Sequence, residues 1–155
     1  MEFLSFLNAK EREILELIYK AEYKVEENTP LCLIGKKYFG FFKRRQKTVV
    51  ICTENAKKQG SYFLTKIKGY NDELNQTGVY LRRALRHEAV HIAQDCNNGN
   101  PVELSTERKI KIHPYKMEAL KGSSNISGRE DKEYQAYALE DKPKYIINSL
   151  KKYCF

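Results

Sequence analysis

The chain has 155 residues, 41% of them hydrophobic and 12% aromatic, and its 28 Lys and Arg outnumber 20 Asp and Glu to give a net charge of +8. That length suits one domain over 1–155, and the apolar share excludes wholesale disorder. No run approaches the roughly 18 apolar residues of a membrane span, and the opening segment lacks the basic start and unbroken apolar run of a secretory signal, so the expectation is a soluble cytoplasmic protein with no membrane partner.

Asn8 followed by Glu11 has capping-box spacing, and Ile14, Leu17, Ile18 and Ala21 recur at helical intervals, which predicts an amphipathic helix broken by Thr29-Pro30. Leu31 to Phe42 and Lys47 to Thr53 are rich in β-branched and aromatic residues around the polar tract Lys43-Arg44-Arg45-Gln46, a hairpin pattern with Val49-Val50-Ile51-Cys52 as its most buried strand. Residues 54–78 are polar and punctuated by glycine, and they read as loop with one short strand around Tyr62 to Ile67. A helix follows from about Thr77 to Cys96, because Leu81, Leu85, Ala89, Ile92 and Cys96 form one stripe; Asn97 to Pro101 ends it. Val102 to Ile126 is loop-rich with a short helix around Tyr115 to Leu120. Ser127 and Glu130 have capping-box spacing ahead of a helix that Lys142-Pro143 closes, and a final helix carries Ile146, Ile147 and Leu150. Cys32, Cys52, Cys96 and Cys154 are scattered without a CxxC pair, so reduced, buried thiols are expected.

His87-Glu88-Ala89-Val90-His91 is an HExxH sequence on the best-marked helix. At i and i+4 the two imidazoles lie one turn apart on nearly the same face and can converge on one zinc ion, while Glu88 can reach a water at that ion as general base. Relative to Leu85, at the centre of the apolar stripe, His87 and His91 fall roughly 200° and 240° around the helix. Tyr80 and Ala84 share their side, so the helix should stand between a packed interior and a cleft. Arg82 and Arg86 take a third side, where solvent is expected. Average His and Glu usage gives HExxH by chance in roughly 0.5% of chains this long, which favours the metal reading.

A catalytic zinc needs a third protein ligand and an open position. The metzincin pattern would put glycine at 94 and histidine at 97; Gln94 and Asn97 exclude it. His113 reads as a surface or loop histidine. Glu133 leads the carboxylates, one turn inside the later helix with Ala136, Tyr137 and Glu140 on its face, and Glu140, Glu130 and Asp131 are the alternatives. Small Ala136 and Ala138 permit a close approach to the histidine helix. Donors for a developing oxyanion are Tyr137, Tyr134, Tyr115 and His113, with Tyr137 taken first; Asp95, one turn beyond His91, could orient a histidine.

These residues resemble the gluzincins, zinc metallopeptidases in which an HExxH helix supplies two histidines and a later helix a glutamate; Glu133-Tyr134-Gln135-Ala136 is similar to the Glu-x-x-Ala of their short-chain members. The resemblance spans about residues 47–141. It implies a minimal zincin-like α+β domain, with a small, mostly antiparallel sheet packed on the HExxH helix, its edge strand lining the cleft, and further helices N- and C-terminal. It also implies hydrolysis of a polypeptide or peptide substrate. A second reading comes from a different class: Tyr38, Phe39, Phe41 and Phe42 interleaved among Lys36, Lys37, Lys43, Arg44, Arg45 and Lys47 could bind single-stranded nucleic acid, the plainer alternative being a hairpin with aromatic core and solvated turn. A third is a scaffold that keeps the metal without turnover, against which Glu88 speaks.

Overall fold

The computed structural model describes residues 1–62, 75–103 and 112–155. Among these the chain is α+β, with six α-helices and one three-stranded sheet. A 3-10 turn at Glu2–Phe6 leads into α1 (Ala9–Lys20), then β1 (Lys24–Glu27), a second 3-10 turn (Pro30–Ile34), β2 (Gly40–Lys43), β3 (Thr48–Ile51) and α2 (Thr53–Gln59). The long α3 (Thr77–Cys96) follows, then α4 (Met117–Ser127) entered through a 3-10 turn at Pro114–Lys116, α5 (Glu130–Leu139) and α6 (Pro143–Cys154).

The sheet order is β1-β3-β2. The expected hairpin forms, β2 running antiparallel to β3 with Gly40 opposite Ile51 and Lys43 opposite Thr48. β1 lies parallel to β3, so the sheet is mixed and not mostly antiparallel. Its sequence, Lys24-Val25-Glu26-Glu27, carries one apolar residue and gives no alternation to read. Residues 30–34 make a turn instead of extending the hairpin, because Thr29-Pro30 starts it and Asn55 Nδ2 donates to the carbonyls of Cys32, Gly35 and Tyr38 at 2.9, 3.2 and 2.9 Å. That clasp holds the loop from which β2 enters the cleft. The segment after β3, read as loop, is helical over Thr53–Gln59; the strand expected around Tyr62 to Ile67 lies almost wholly outside the described residues.

All four β3 residues are buried. Val49 and Ile51 join the main core with Phe3, Ile14, Ile18, Leu85 and Leu150, while Val50 faces the other way into a small cluster with Cys32 and Cys52. The α3 stripe is as expected: Leu81, Leu85, Ala89 and Ile92 are fully buried, packed against α1 and α6. Arg82 and Arg86 are half-buried and bonded to protein groups instead of standing free in solvent. Arg82 Nη1 donates to the Phe6 carbonyl at 2.8 Å, and Arg86 reaches Glu11 on α1 and the backbone carbonyl of Glu140. Glu11, buried by that pairing, does not serve as a cap, and Asn8 caps α1 without a side-chain bond. The second capping box also fails to form, since Ser127 still belongs to α4, Gly128 ends that helix at φ 73°, and Arg129 stands at the N-cap of α5.

The cysteines correct the sequence expectation. Cys32 pairs with Cys52 and Cys96 with Cys154, and no free thiol is left. The fold brings the Cα atoms to 5.6 and 5.2 Å, inside bridging range, across sequence separations of 20 and 58 that no spacing rule reveals. Among the described residues no helix is long and apolar enough to cross a membrane.

Candidate metal centre

α3 presents His87 and His91 away from its apolar stripe, and α5 faces them with Glu133 and Glu140, seven residues apart and therefore on one side of that helix. Ala136 between them is fully buried, which lets the two helices approach closely. The Nε2 atoms of His87 and His91 lie 3.3 and 3.2 Å from the two oxygens of Glu133. One ligand atom from each of the three residues lies within 4.8 Å of the others, and all three residues are buried. A metal ion can be held by this group.

The other face of each imidazole is fixed. His87 Nδ1–H donates to Glu140 Oε2 at 2.8 Å, and His91 Nδ1–H to Gln94 Oε1 at 2.8 Å. Gln94 is itself held, its Nε2 donating to the Lys132 carbonyl and to Gln135 Oε1, both at 3.0 Å. Glu140 is gripped by Lys116 Nζ at 2.8 Å. Both rings are therefore oriented with Nε2 toward Glu133, the arrangement that metal-binding histidines require.

Electrostatics follow from this burial. Desolvation would lower the His87 pKa, but Glu133 and Glu140 outweigh it and push it up to about 10. Burial would raise that of Glu133, yet its bonds with His87 and His91 hold it well below the carboxylate range. Glu88, buried beside them, is pushed up by desolvation, with His87 and His91 pulling back. It lies against β2, where a Cβ on Gly40 would meet Glu88 Cγ at 3.1 Å and Oε1 at 3.2 Å. Glycine gives that carboxylate its room.

Two connected clefts open over the centre. One, of about 370 Å³, is lined by Phe41, Phe42, Arg44, Arg129 and Lys132; the other, of about 220 Å³, by Phe39, Tyr80, Tyr115 and Tyr137; Tyr38, Gly40, His87, Glu88 and Ser123 border both. The helix is thus sandwiched between core and cleft, with Tyr80 and Ala84 on the cleft side as the wheel required.

Tyr137 stands beside the centre, its ring 4.4 Å from that of His87, and its hydroxyl bonds Ser123 Oγ at 2.6 Å and donates to the Ala119 carbonyl at 3.3 Å. Burial is the main cause that raises its pKa. Tyr134 is exposed with its hydroxyl accepting from Ile112 N, and His113 is exposed against Tyr115. Glu130 and Asp131 are exposed and outside the ligand group. Asp95 does not orient a histidine. It pairs with Tyr23 Oη and, at 2.7 Å, with Arg44 Nε. That role belongs to Gln94 and Glu140, legible in hindsight as i+3 from His91 and i+7 from Glu133. The aromatics of the 36–47 tract are half-buried and border the clefts, with Phe39 stacked on Tyr80 at 4.8 Å and 7° and Phe42 against Tyr23.

A family model described as a domain of unknown function, DUF8637, matches residues 3–155, and the chain belongs to that family. No curated protein and no solved structure matches it.

Proposed function

We propose that the protein is a zinc-dependent hydrolase acting on peptide bonds, a gluzincin-like enzyme on a minimal zincin-like frame. The observation that carries this reading is the convergence of His87 Nε2, His91 Nε2 and the Glu133 carboxylate, with Glu88 buried beside them at an open cleft. The donor set fits zinc: two imidazoles and one carboxylate, each imidazole backed by an acceptor at Nδ1, leaving room for a fourth partner from the cleft. When bound, zinc supplies a Lewis acid that activates water and polarises a carbonyl.

The chain's own residues do the rest. Glu133, His87 and His91 form the seat, while Glu140 and Gln94 keep both rings aimed at it. Glu88 takes a proton from the attacking water and holds it on its carboxylate for delivery to the leaving amine; burial pushes its pKa up, which strengthens it as the base of that transfer. Tyr137 borders the same space, and its hydroxyl, on turning from the Ala119 carbonyl, can donate to the oxyanion of the substrate. The paired cysteines favour an oxidising compartment over a reducing cytosol.

The test uses three proteins, wild type, Glu88→Gln and His87→Ala, each measured for zinc by elemental analysis and for cleavage of a mixed peptide library by mass spectrometry. Wild type should hold one zinc and cut; Glu88→Gln should hold zinc without cutting; His87→Ala should lose both. A wild type that binds no zinc, or a Glu88→Gln protein that cuts normally, refutes the proposal.

A further inference from the structure

The larger cleft has an uneven wall. Arg44, from the hairpin turn, and Arg129 and Lys132, from the start of α5, line it on one side of the metal seat. Arg44 holds Asp95, and Arg129 holds Asp131 at 2.9 Å. Lys132 has no carboxylate within ion-pair distance among the described residues, although it is half-buried and feels the positive charge of both arginines. It also occupies the first turn of α5, where the helix dipole disfavours a cation. Among the described residues Asp131 and Asp95 attract it from beyond ion-pair distance, and burial and the two arginines outweigh them. A half-buried cation among like charges at the wrong end of a helix weakens the folded state, and residues of that kind belong to a site that an anion completes.

The cleft's carboxylates do not supply that anion. Glu133 and Glu88 belong to the metal seat, and Asp95 is shared by Arg44 and Tyr23. The smaller cleft, across Gly40 and Glu88, is different: much of its surface comes from Phe39, Tyr80, Tyr115 and Ala119, two of its cations, Arg83 and Lys116, are already held by Glu140 and Asp141, and the third, Lys37, is exposed. A ligand lying across the seat therefore meets a cluster of three cations beside Phe41 and Phe42 on one side and a mainly aromatic surface on the other.

We infer that the Arg44, Arg129 and Lys132 wall is a carboxylate-binding subsite, with Lys132 its specificity-determining residue, and that the substrate is a polypeptide presenting an acidic group there and an apolar residue across the seat. The inference rests on the hydrolase reading for which bond reacts, while the subsite itself is a matter of binding. Two sources share this chemistry, an Asp or Glu side chain and a chain-terminal carboxylate.

The test is fluorescence anisotropy with zinc-loaded Glu88→Gln protein, so that peptide is not consumed, and labelled octapeptides of Ala and Phe carrying Glu, Gln or Lys at each position in turn, C-terminally amidated or free. At one or two positions Glu should bind at least about tenfold tighter than Gln, and Lys more weakly still, with the difference shrinking as salt rises. Lys132→Gln should abolish the preference, and Lys132→Glu should reverse it. A preference confined to the free C-terminus assigns the subsite to a terminal carboxylate; one that persists in the amidated set assigns it to a side chain. Equal affinity for Glu, Gln and Lys at every position, no binding of any peptide, or a preference that survives Lys132→Gln overturns the inference. Zinc content and turnover, measured on the same preparations, report separately on the hydrolase reading.

Discussion

On the proposed zinc reading, the ion must displace a proton from His87 of the metal-free protein. Its pKa stands near 10, because Glu140 and Glu133 accept from its two ring nitrogens, whereas zinc takes the neutral ring at Nε2. At pH 7 the metal-free molecule keeps this proton, so apparent zinc affinity should weaken as pH falls, about tenfold per unit while the proton stays bound. Isothermal titration of zinc at pH 7, in two buffers of unlike ionisation enthalpy, should count about one proton released per zinc, and affinity should rise about tenfold from pH 6.5 to 7.5. The stability of the metal-free protein carries the same signature with the opposite trend. Because the folded value lies above the ordinary 6.5, the contribution of this proton is complete below about pH 6.5 and is lost as pH rises through about 10. Zinc uptake without proton release, at an affinity flat across that window, would refute the assigned ion pairs.

Gln94→Leu frees His91 Nδ1 and strands the Lys132 carbonyl; zinc affinity should fall about 10- to 100-fold in a chelator competition, and an unchanged affinity would show that His91 needs no orienting partner. Gly40→Ala presses on Glu88 at 3.1 Å and should cut peptide turnover about tenfold with zinc content unchanged; full turnover would mean that Glu88 can shift freely. Replacing Cys96 and Cys154 together by Ala removes a crosslink over 58 residues, for which chain entropy gives about 4 kcal/mol, read as a lower denaturant midpoint; titration of four free thiols in the unreduced wild type would contradict the pairing.

How far residues foretold the structure differs by element. α3 was legible to its ends because a 20-residue amphipathic stripe leaves no competing pattern, and the spacing of His87, Glu88 and His91 carries its own geometry. Glu133 was reachable from its helix face. β1 was not, since Lys24 to Glu27 is held by pairing with β3 and by Glu27, which accepts from Phe3 N at 2.8 Å and Thr53 Oγ1 at 2.6 Å, contacts between distant segments. Both disulfides depend on such contacts too. Arg86 misled for a related reason: a wheel shows which side a residue takes, but not that α1 and the end of α5 cover that side and give the guanidinium Glu11 and the Glu140 carbonyl. Lys132 carries no mark in the sequence, because only the fold brings Arg44 to the same cleft wall.

α3 supplies two of the facing polar groups and α5 the others, so whatever sits between them is also a fastener. With a metal bound the fastener would be that cation; in the empty protein it is the hydrogen ion on His87 Nε2, which Glu133 accepts while Nδ1–H stays with Glu140. Stripping both, with a chelator in alkaline solution, leaves buried carboxylates confronting neutral rings, and the seam between α3 and α5 is where the molecule should first come apart. Endurance and turnover would then fail together, at the same joint.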